Sequence, residues 1–557
     1  MQIRQLTIRR YRGIETFTWR PSPGLNCLIG PGDSLKSTVL SAISLLLAPY
    51  PLGACSEFDF FRRRIADGFE IEAYIGRLDL GSLGTEQRLP HLHGWRNNAP
   101  VPLPEGDAEH VLRCRVRGNA DLELVYDLPI DGTDDAPTFT AGLRRKLMLA
   151  RLAGEERAAR DLRLGTGSLL DRHLKTGEMR APVHSAIANA AAEMVVPGAT
   201  GVALDELRRM FRGAGLPSDL HLGLVPVQGA ALVGMVALAS GDPVREAVPI
   251  AYAGTGTKQT ALLTLSAALA GTAPVLVIDE PERGLEPYRQ RSIIKRITDL
   301  AGTEGQAFVT THAPAVLGML RAENIWRMRG TQTPWQFQGA AIERLLRSDP
   351  DAFFAVIPIL CEGATEQGLL EEMLPPLIGR DMDGCGIRLV DGGGQPNVLE
   401  IAHGFIAASM MCASFLDNEP AYSGRRERIQ GQSAAFVWNG AINIEDATCR
   451  WISLPNLFSL LDTASEARGV QRRHLEDQVF FQISAPDRRG GPRELEAAGY
   501  PEQILRTAFN EAMTRHEWFK TRVAGRLLAR ALTDLGMPVE IRQQIDRFGE
   551  RVQQLLA

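Results

Sequence analysis

Leu25-Asn-Cys-Leu-Ile-Gly-Pro-Gly-Asp-Ser-Leu-Lys-Ser-Thr38 is the stretch that decides the fold. An apolar run, a glycine-rich loop and a helix start follow one another, which is the context a phosphate-binding loop requires. Amides at such a helix start cradle phosphate groups. Gly30 and Gly32 supply the turn, Lys36 reaches the β and γ phosphates, and the hydroxyls of Ser37 and Thr38 follow, with Ser37 placed to hold magnesium. Leu35 stands where the GxxxxGK[ST] pattern has glycine, so this loop must be built without that residue's conformational freedom.

A second segment completes the nucleotide chemistry. Val275-Leu-Val-Ile-Asp-Glu-Pro-Glu282 is a buried strand that ends in two carboxylates. The first, Asp279, is expected to hold magnesium, and Glu280 to polarise an attacking water. His312 follows the strand Phe308-Val-Thr-Thr311, where it would sense the γ phosphate. Asp279 lies 243 positions after Lys36, far too many for a Ras-like or AAA domain without insertions. This order resembles the ABC-type ATPases of the SMC and RecF class, in which a helical arm divides two lobes. Tyr252-Ala-Gly-Thr-Gly-Thr-Lys-Gln259 stands where that class has its signature loop. The resemblance implies that Gly254, Gly256 and Lys258 meet the γ phosphate of ATP held by a facing subunit, so that ATP is sandwiched in a homodimer or higher oligomer.

Bulk properties bound the rest. A chain of 557 residues is too long for one core, and three or four domains are expected. Hydrophobic residues at 45% and charged ones at 23% give enough apolar material for compact folding. The formal net charge of -5 exerts no global pull on nucleic acid, so any such binding must be local. Seven cysteines without a CxxC pair read as reduced and cytoplasmic. The N-terminus alternates like a strand instead of forming a signal peptide. The longest apolar run, near 229–239, falls short of the roughly 20 residues a membrane span needs, so no membrane is expected. Only six of the 61 basic residues are lysine, which singles out each ammonium as a candidate for work a planar guanidinium cannot do.

Periodicity places strands at Phe69–Ile75, Val111–Val116 and Leu122–Tyr126, then a helical, arginine-rich stretch from about 140 that includes Leu143-Arg-Arg-Lys-Leu-Met-Leu-Ala-Arg-Leu152. A helix is expected from Gln259, strands at Val275–Ile278 and Ala307–Thr310, and a helical tail to Ala557. The Gly/Pro-rich breaks at Arg329–Pro334 and Arg488–Pro492 are boundary candidates.

Beyond the ATPase, Val356-Ile-Pro-Ile-Leu-Cys-Glu362 is an apolar strand ending in an acid, Ile387-Arg-Leu-Val-Asp391 is a second strand, and Met410 to Glu419 holds a third that ends in Asp417 and Glu419. Parallel strands put their C-terminal ends on one edge, so Glu362, Asp417 and Glu419 can converge there, and such a cluster needs cations. This resembles a Toprim domain, with Glu362 as its glutamate and Asp417 with Glu419 as its DxD pair, the second acid being Glu here. An ABC-type ATPase followed by Toprim resembles the OLD family of ATP-dependent endonucleases over nearly the whole chain. The resemblance implies that Lys520, in Trp518-Phe-Lys-Thr521, joins the metal site as a catalytic group, with Glu445 as a further candidate ligand.

The resulting expectation is an α/β chain: an N-terminal ATPase lobe (residues 1–135), an inserted helical arm for dimerisation (136–224), a second ATPase lobe (225–348), a Rossmann-like Toprim domain (349–465) and a helical C-terminal region completing its site (466–557). The expected activity is ATP-regulated, Mg2+- or Mn2+-dependent cleavage of DNA, with antiphage defence and an accessory defence protein as implications of the family. Two alternatives stand beside it: a RecF- or SMC-like DNA clamp that does not cleave, and a ribonuclease acting on tRNA. Topoisomerase and primase are disfavoured for want of a domain with a nucleophilic tyrosine and of a zinc ribbon.

Overall fold

In a computed structural model of the chain, residues 1–49, 54–78, 92–101, 107–130, 136–147, 149–152, 161–163, 168–170, 239–240, 248–269, 275–430 and 433–556 are described. They form two compact units, the first of 1–29, 35–311 and 330–333, the second of 30–34, 312–329 and 334–557.

The first unit opens with β1 (Gln2–Tyr11) and β2 (Ile14–Trp19), joined by the two-residue turn Arg12-Gly13 and paired antiparallel with Tyr11 opposite Ile14. Alternation puts Leu6 and Ile8 in the core, and Ile3, ahead of a register shift between Ile3 and Gln5, and Tyr11 at the strand's end are buried as well. After β3 (Gly24–Ile29) and the helix Lys36–Leu47 come β4 (Phe69–Gly76), β5 (Leu92–Arg96), β6 (Ala99–Val101), β7 (Glu109–Gly118) and β8 (Leu124–Asp127). The β5–β6 hairpin turns on Asn97 and Asn98, both at positive φ, as tight hairpins require. The antiparallel sheet runs β2-β1-β4-β7-β5-β6, with β8 also on β7.

A parallel sheet holds the nucleotide elements. β9 (Leu149–Leu152), β12 (Val275–Ile278), β13 (Gln306–Thr310) and β3 pair in that order. The intervening β10 (Ala239–Ser240) and β11 (Val248–Pro249) form a separate short pair. Trp19 meets Phe308 edge-on at 5.5 Å, and the buried Gln306 side chain bonds Ile3 and Ser22, so the two sheets share one core.

Two expectations change here. Residues 149–152, read as helix, form β9; the helix before them stops at Lys146, because pairing with the buried β12 outweighs the local helical spacing. The helix expected from Gln259 starts at Thr255, since Gly256 packs on Leu285 and Gly284 on Thr255, contacts that offset glycine's poor helix propensity of about 1 kcal/mol. The rest of the arm expected over 136–224 lies almost wholly outside the described residues.

Arg329–Pro334 is a turn on Gly330 between β14 (Ile325–Arg329) and β15 (Gln332–Gln336). Four parallel strands follow: β16 (Ile357–Cys361), β17 (Ile387–Asp391), β18 (Ala413–Leu416) and β19 (Ala434–Val437), in the spatial order β17-β16-β18-β19. Strand order therefore reverses beside β16, which makes the C-terminal ends of β16 and β18 the topological switch point where such sheets bind ligands. Helices from Leu454 to Leu556 share one core with this sheet. Phe548 of the last helix packs on Phe415 and Phe436, and Arg551 bonds the Ala435 carbonyl, which covers the edge strand β19.

Candidate functional site

The strand, loop and helix expected of a phosphate-binding loop form with Leu35 in place. That residue takes the left-handed conformation (φ 67°, ψ 13°) as the cap of the helix Lys36–Leu47, at a cost of about 1–2 kcal/mol for a non-glycine residue. Its side chain lies where a Cβ on Gly13 would sit, so packing against the β1–β2 turn offsets the strain. Gly30 is needed for space as well as for φ 153°: a Cβ there would stand 2.9 Å from Ser34 Oγ and 3.2 Å from the Met328 carbonyl. A Cβ on Gly32 would meet nothing within 4 Å. Lys36 is buried at the helix start, Ser37 is exposed and Thr38 half-buried.

Ser37 Oγ donates to Asp279 Oδ1 at 3.2 Å, and Thr310 Oγ1 donates a short bond to the same oxygen. The Glu280 amide, at φ 49°, donates to Thr310 Oγ1 at 3.1 Å. The two strand ends are thus tied by a threonine that sequence reasoning passed over, although it stands two residues before His312. Glu282, the last acid of the strand motif, is buried and accepts from Thr311. His312 is exposed just past β13, with its ring beside Phe354 at 6.2 Å. Gly254 is exposed, and its carbonyl accepts from the Lys258 amide in the first helical turn, so Gly256 and Lys258 belong to a helix start.

The acids of the second unit gather where β16 and β18 end. Glu362 follows β16, and its Oε2 accepts from the Asp417 amide (3.1 Å) and from Gln395 Nε2 (3.1 Å). Asp417 follows β18 and is buried; its Oδ1 has no hydrogen-bond partner. Glu445, in the first turn of the helix Ile444–Trp451, is 2% exposed; its Oε2 is likewise without a partner, and its Oε1 lies 3.7 Å from Lys520 Nζ. Glu419 is half-buried and adds to the repulsion on Glu362.

Sequence reasoning missed Glu366, because an acid three residues after Gly363 reads as a helix-capping residue. It does cap, accepting from the Gly363 amide at 2.9 Å, but it is also buried among the other acids. Burial, then the neighbouring carboxylates, push Asp417 up to about 9 and Glu366 up to about 7, and raise Glu362. For Lys520 burial works downward, yet Glu445, Glu366, Asp417 and Glu362 outweigh it, and the ammonium is held above its ordinary range.

Close helix packing delivers that lysine. Gly368 and Gly525 let the helices Ala364–Ile378 and Arg522–Asp534 touch: a Cβ on Gly525 would lie 2.3 Å from the Thr365 carbonyl oxygen, and one on Gly368 2.0 Å from that of Arg522. Thr365 Oγ1 bonds the Phe519 carbonyl at 2.8 Å, which fixes the residue before Lys520. The donor set is hard oxygen, with two buried carboxylate oxygens left unpaired, and this suits a divalent cation of the magnesium type. Among the described residues, no three of these side chains already stand as a cage around one ion.

Family models match the chain at two places. Residues 240–318 match AAA_21, an AAA domain whose description names the AbiEii toxin and a Type IV TA system. Residues 353–418 match the Toprim domain described as "Overcoming lysogenization defect protein-like". No curated protein matches the sequence. Among solved structures, an Smc head bound to the C-terminal winged-helix domain of ScpA is similar at 15% identity and a TM-score of 0.36, over 62% of this chain and 100% of that one. An Smc head with an extended coiled coil from Pyrococcus furiosus gives 13%, 0.36, 62% and 98% in the same measures.

The chain is therefore an enzyme of mixed α/β fold that couples an ATPase domain to a Toprim nuclease domain, and the nuclease domain implies nucleic-acid binding. In this order the two domains have the ATPase–Toprim architecture of the OLD family, as the motifs led one to expect. Among the described residues, no helix is long and apolar enough to cross a membrane.

Proposed function

We propose that this protein is an ATP-regulated, divalent-metal-dependent endonuclease acting on DNA, and that it works as a homodimer with ATP between two heads. The observation that carries the reading is the cluster of Glu362, Glu366, Asp417 and Glu445 around Lys520 at the switch point of the sheet, with two buried carboxylate oxygens unpaired. Glu362, Asp417, Glu419 and Glu445 are the residues that would hold Mg2+ or Mn2+. The ion supplies charge for the attacking and leaving oxygens of a phosphodiester.

This chain's own residues do the rest. Gln395 and the Asp417 amide orient Glu362, Glu445 holds the ammonium of Lys520, and that ammonium offers a point charge to phosphate oxygens. In the ATPase, Lys36, Ser37, Thr38 and Asp279 take the nucleotide and its magnesium, Glu280 orients water, and His312 reads the γ phosphate, with Gly254, Gly256 and Lys258 serving the facing subunit. The proposed domains are 1–135 and 225–348 for the ATPase, 136–224 for the arm apart from β9, which pairs with β12, 349–465 for Toprim and 466–557 for the helical C-terminal region.

The test is nicking of supercoiled plasmid with Mn2+ or Mg2+ and ATP titrated, beside parallel incubations with total RNA. Metal-dependent nicking that stops in EDTA is expected. Cleavage persisting in EDTA sinks the metal reading. Binding of DNA without any cleavage supports a clamp instead, and cleavage confined to RNA moves the substrate.

A further inference from the structure

We infer that Arg426 is a positioning residue for the nuclease site, acting through Gln395 to aim Glu362; this rests on the metal-dependent reading above. Arg426 sits in the helix Ser423–Gln430, whose other arginines, Arg425 and Arg428, are exposed, whereas Arg426 is 6% exposed. A buried guanidinium is costly unless its donors are met. Here Nη1 donates to the carbonyls of Glu419 (2.7 Å) and Asp417 (3.2 Å) and to Gln395 Oε1 (3.3 Å), and Nη2 donates to Asn418 Oδ1 (2.9 Å). All four acceptors are neutral, three belong to the acid-bearing loop Asp417-Asn418-Glu419, and the fourth is the side chain that touches Glu362. The cation is spent on shaping that loop, and no carboxylate of the site is taken from a metal by ion pairing.

The bond to Gln395 decides more than packing. Gln395 is 1% exposed, and its Nε2 donates to Glu362 Oε2 (3.1 Å) and to the Asp417 carbonyl (2.7 Å). Turning the amide over would set its oxygen against a carboxylate and a carbonyl and its NH2 against the guanidinium. Arg426 therefore fixes the orientation. With the Asp417 amide also on Oε2, both donors fall on one oxygen of Glu362, and among the described residues no hydrogen bond falls on Oε1. That oxygen is the one presented to an ion.

The experiment compares the full-length parent with Arg426→Gln, Arg426→Lys and Gln395→Glu, following Mn2+ binding by EPR, plasmid cleavage, and thermal unfolding without metal. Arg426→Gln should weaken Mn2+ binding and cleavage by about 10- to 100-fold, the range for groups that orient metal ligands. Arg426→Lys should recover most of that loss, because one ammonium at the place of Nη1 reaches three of the four acceptors. Gln395→Glu removes the donor to Glu362 and should fall with Arg426→Gln. Should Arg426→Gln fail to fold, the other two variants decide. Mn2+ affinity of Gln395→Glu equal to the parent's, or a lysine variant as weak as the glutamine one, overturns the inference. A parent that shows no metal-dependent cleavage sinks the nuclease reading, whereas parental Mn2+ affinity in Arg426→Gln sinks only this inference.

Discussion

Lys520 carries a charge that its surroundings demand and its chemistry restricts. Its Nζ is 3.7 Å from Glu445, and the carboxylates raise its pKa and favour the ammonium, so in the proposed mechanism it would act by charge. Arginine would keep the charge but spread it over a planar fork that pairs side-on with carboxylates. Lys520→Arg is expected to slow cleavage about 100-fold, the cost of losing one preorganised electrostatic group, while ATP turnover and folding persist. A rate near the parent's would show that any cation serves. Asp417 gives a second test, with its sign fixed by linkage. Its pKa is raised from 3.8 to about 9 in the folded chain, chiefly by burial and then by Glu366 and Glu362, so the folded state binds the proton more tightly than the unfolded one. Its contribution is fully present below about pH 4 and is lost as pH rises towards 9. In metal-free protein, Asp417→Asn should therefore raise the melting temperature more at pH 8.5 than at pH 5.5, and added Mg2+ should raise that of the parent most at the higher pH. A pH-independent difference between parent and variant would refute the shifted carboxyl.

At the scale of elements, the site depends on two helices meeting through glycine. Adding a methyl at Gly525 drives it into the Thr365 carbonyl, so the helix Arg522–Asp534 must move and take Lys520 with it. Gly525→Ala is expected to cost about 1–3 kcal/mol, as overpacking does, read from the urea midpoint, and to lower cleavage further than that loss of folded protein explains. Gly424→Ala is the control: nothing lies within 4 Å and the residue is helical, so it should be neutral or stabilise by up to about 1 kcal/mol. Equal stability of both variants would mean the helices are not in close contact. The same scale separates what the sequence discloses from what it hides. Glu362 and Asp417 were legible because each ends an apolar strand of a parallel sheet. Glu366 was hidden by its capping position and Arg426 by the run Ser-Gly-Arg-Arg-Glu-Arg, which reads as a solvated helix. β9 was hidden because its partner β12 lies more than a hundred residues away, and no local periodicity reports such a pairing.

For the whole molecule, the lysine, the magnesium-holding groups and the water-orienting acid proposed for the ATPase fall in a different compact unit from the nuclease acids, while Gly30, Gly32 and His312 fall within the ranges of the second unit. Lys36, Ser37, Asp279 and Glu280 belong to the first compact unit, and Glu362, Asp417, Glu419, Glu445 and Lys520 to the second. Substitutions at sites without shared partners act independently. Replacing Asp417 and Glu419 together by alanine should therefore abolish cleavage and leave ATP hydrolysis largely intact. Lys36→Ala should abolish hydrolysis, since in the proposed site that ammonium would meet phosphate charge. Glu280→Gln should bind ATP without turning it over, because the group that orients water is lost while Ser37, Asp279 and Thr310 remain tied. In the sandwich reading this variant accumulates as an ATP-held dimer, visible by light scattering as a doubling of mass on adding ATP, and its cleavage rate then reports whether closed heads switch the nuclease on or hold it off. A mass that stays constant with ATP would refute the sandwich, and loss of both activities in the Asp417, Glu419 double variant would show that the two units do not act as independent sites.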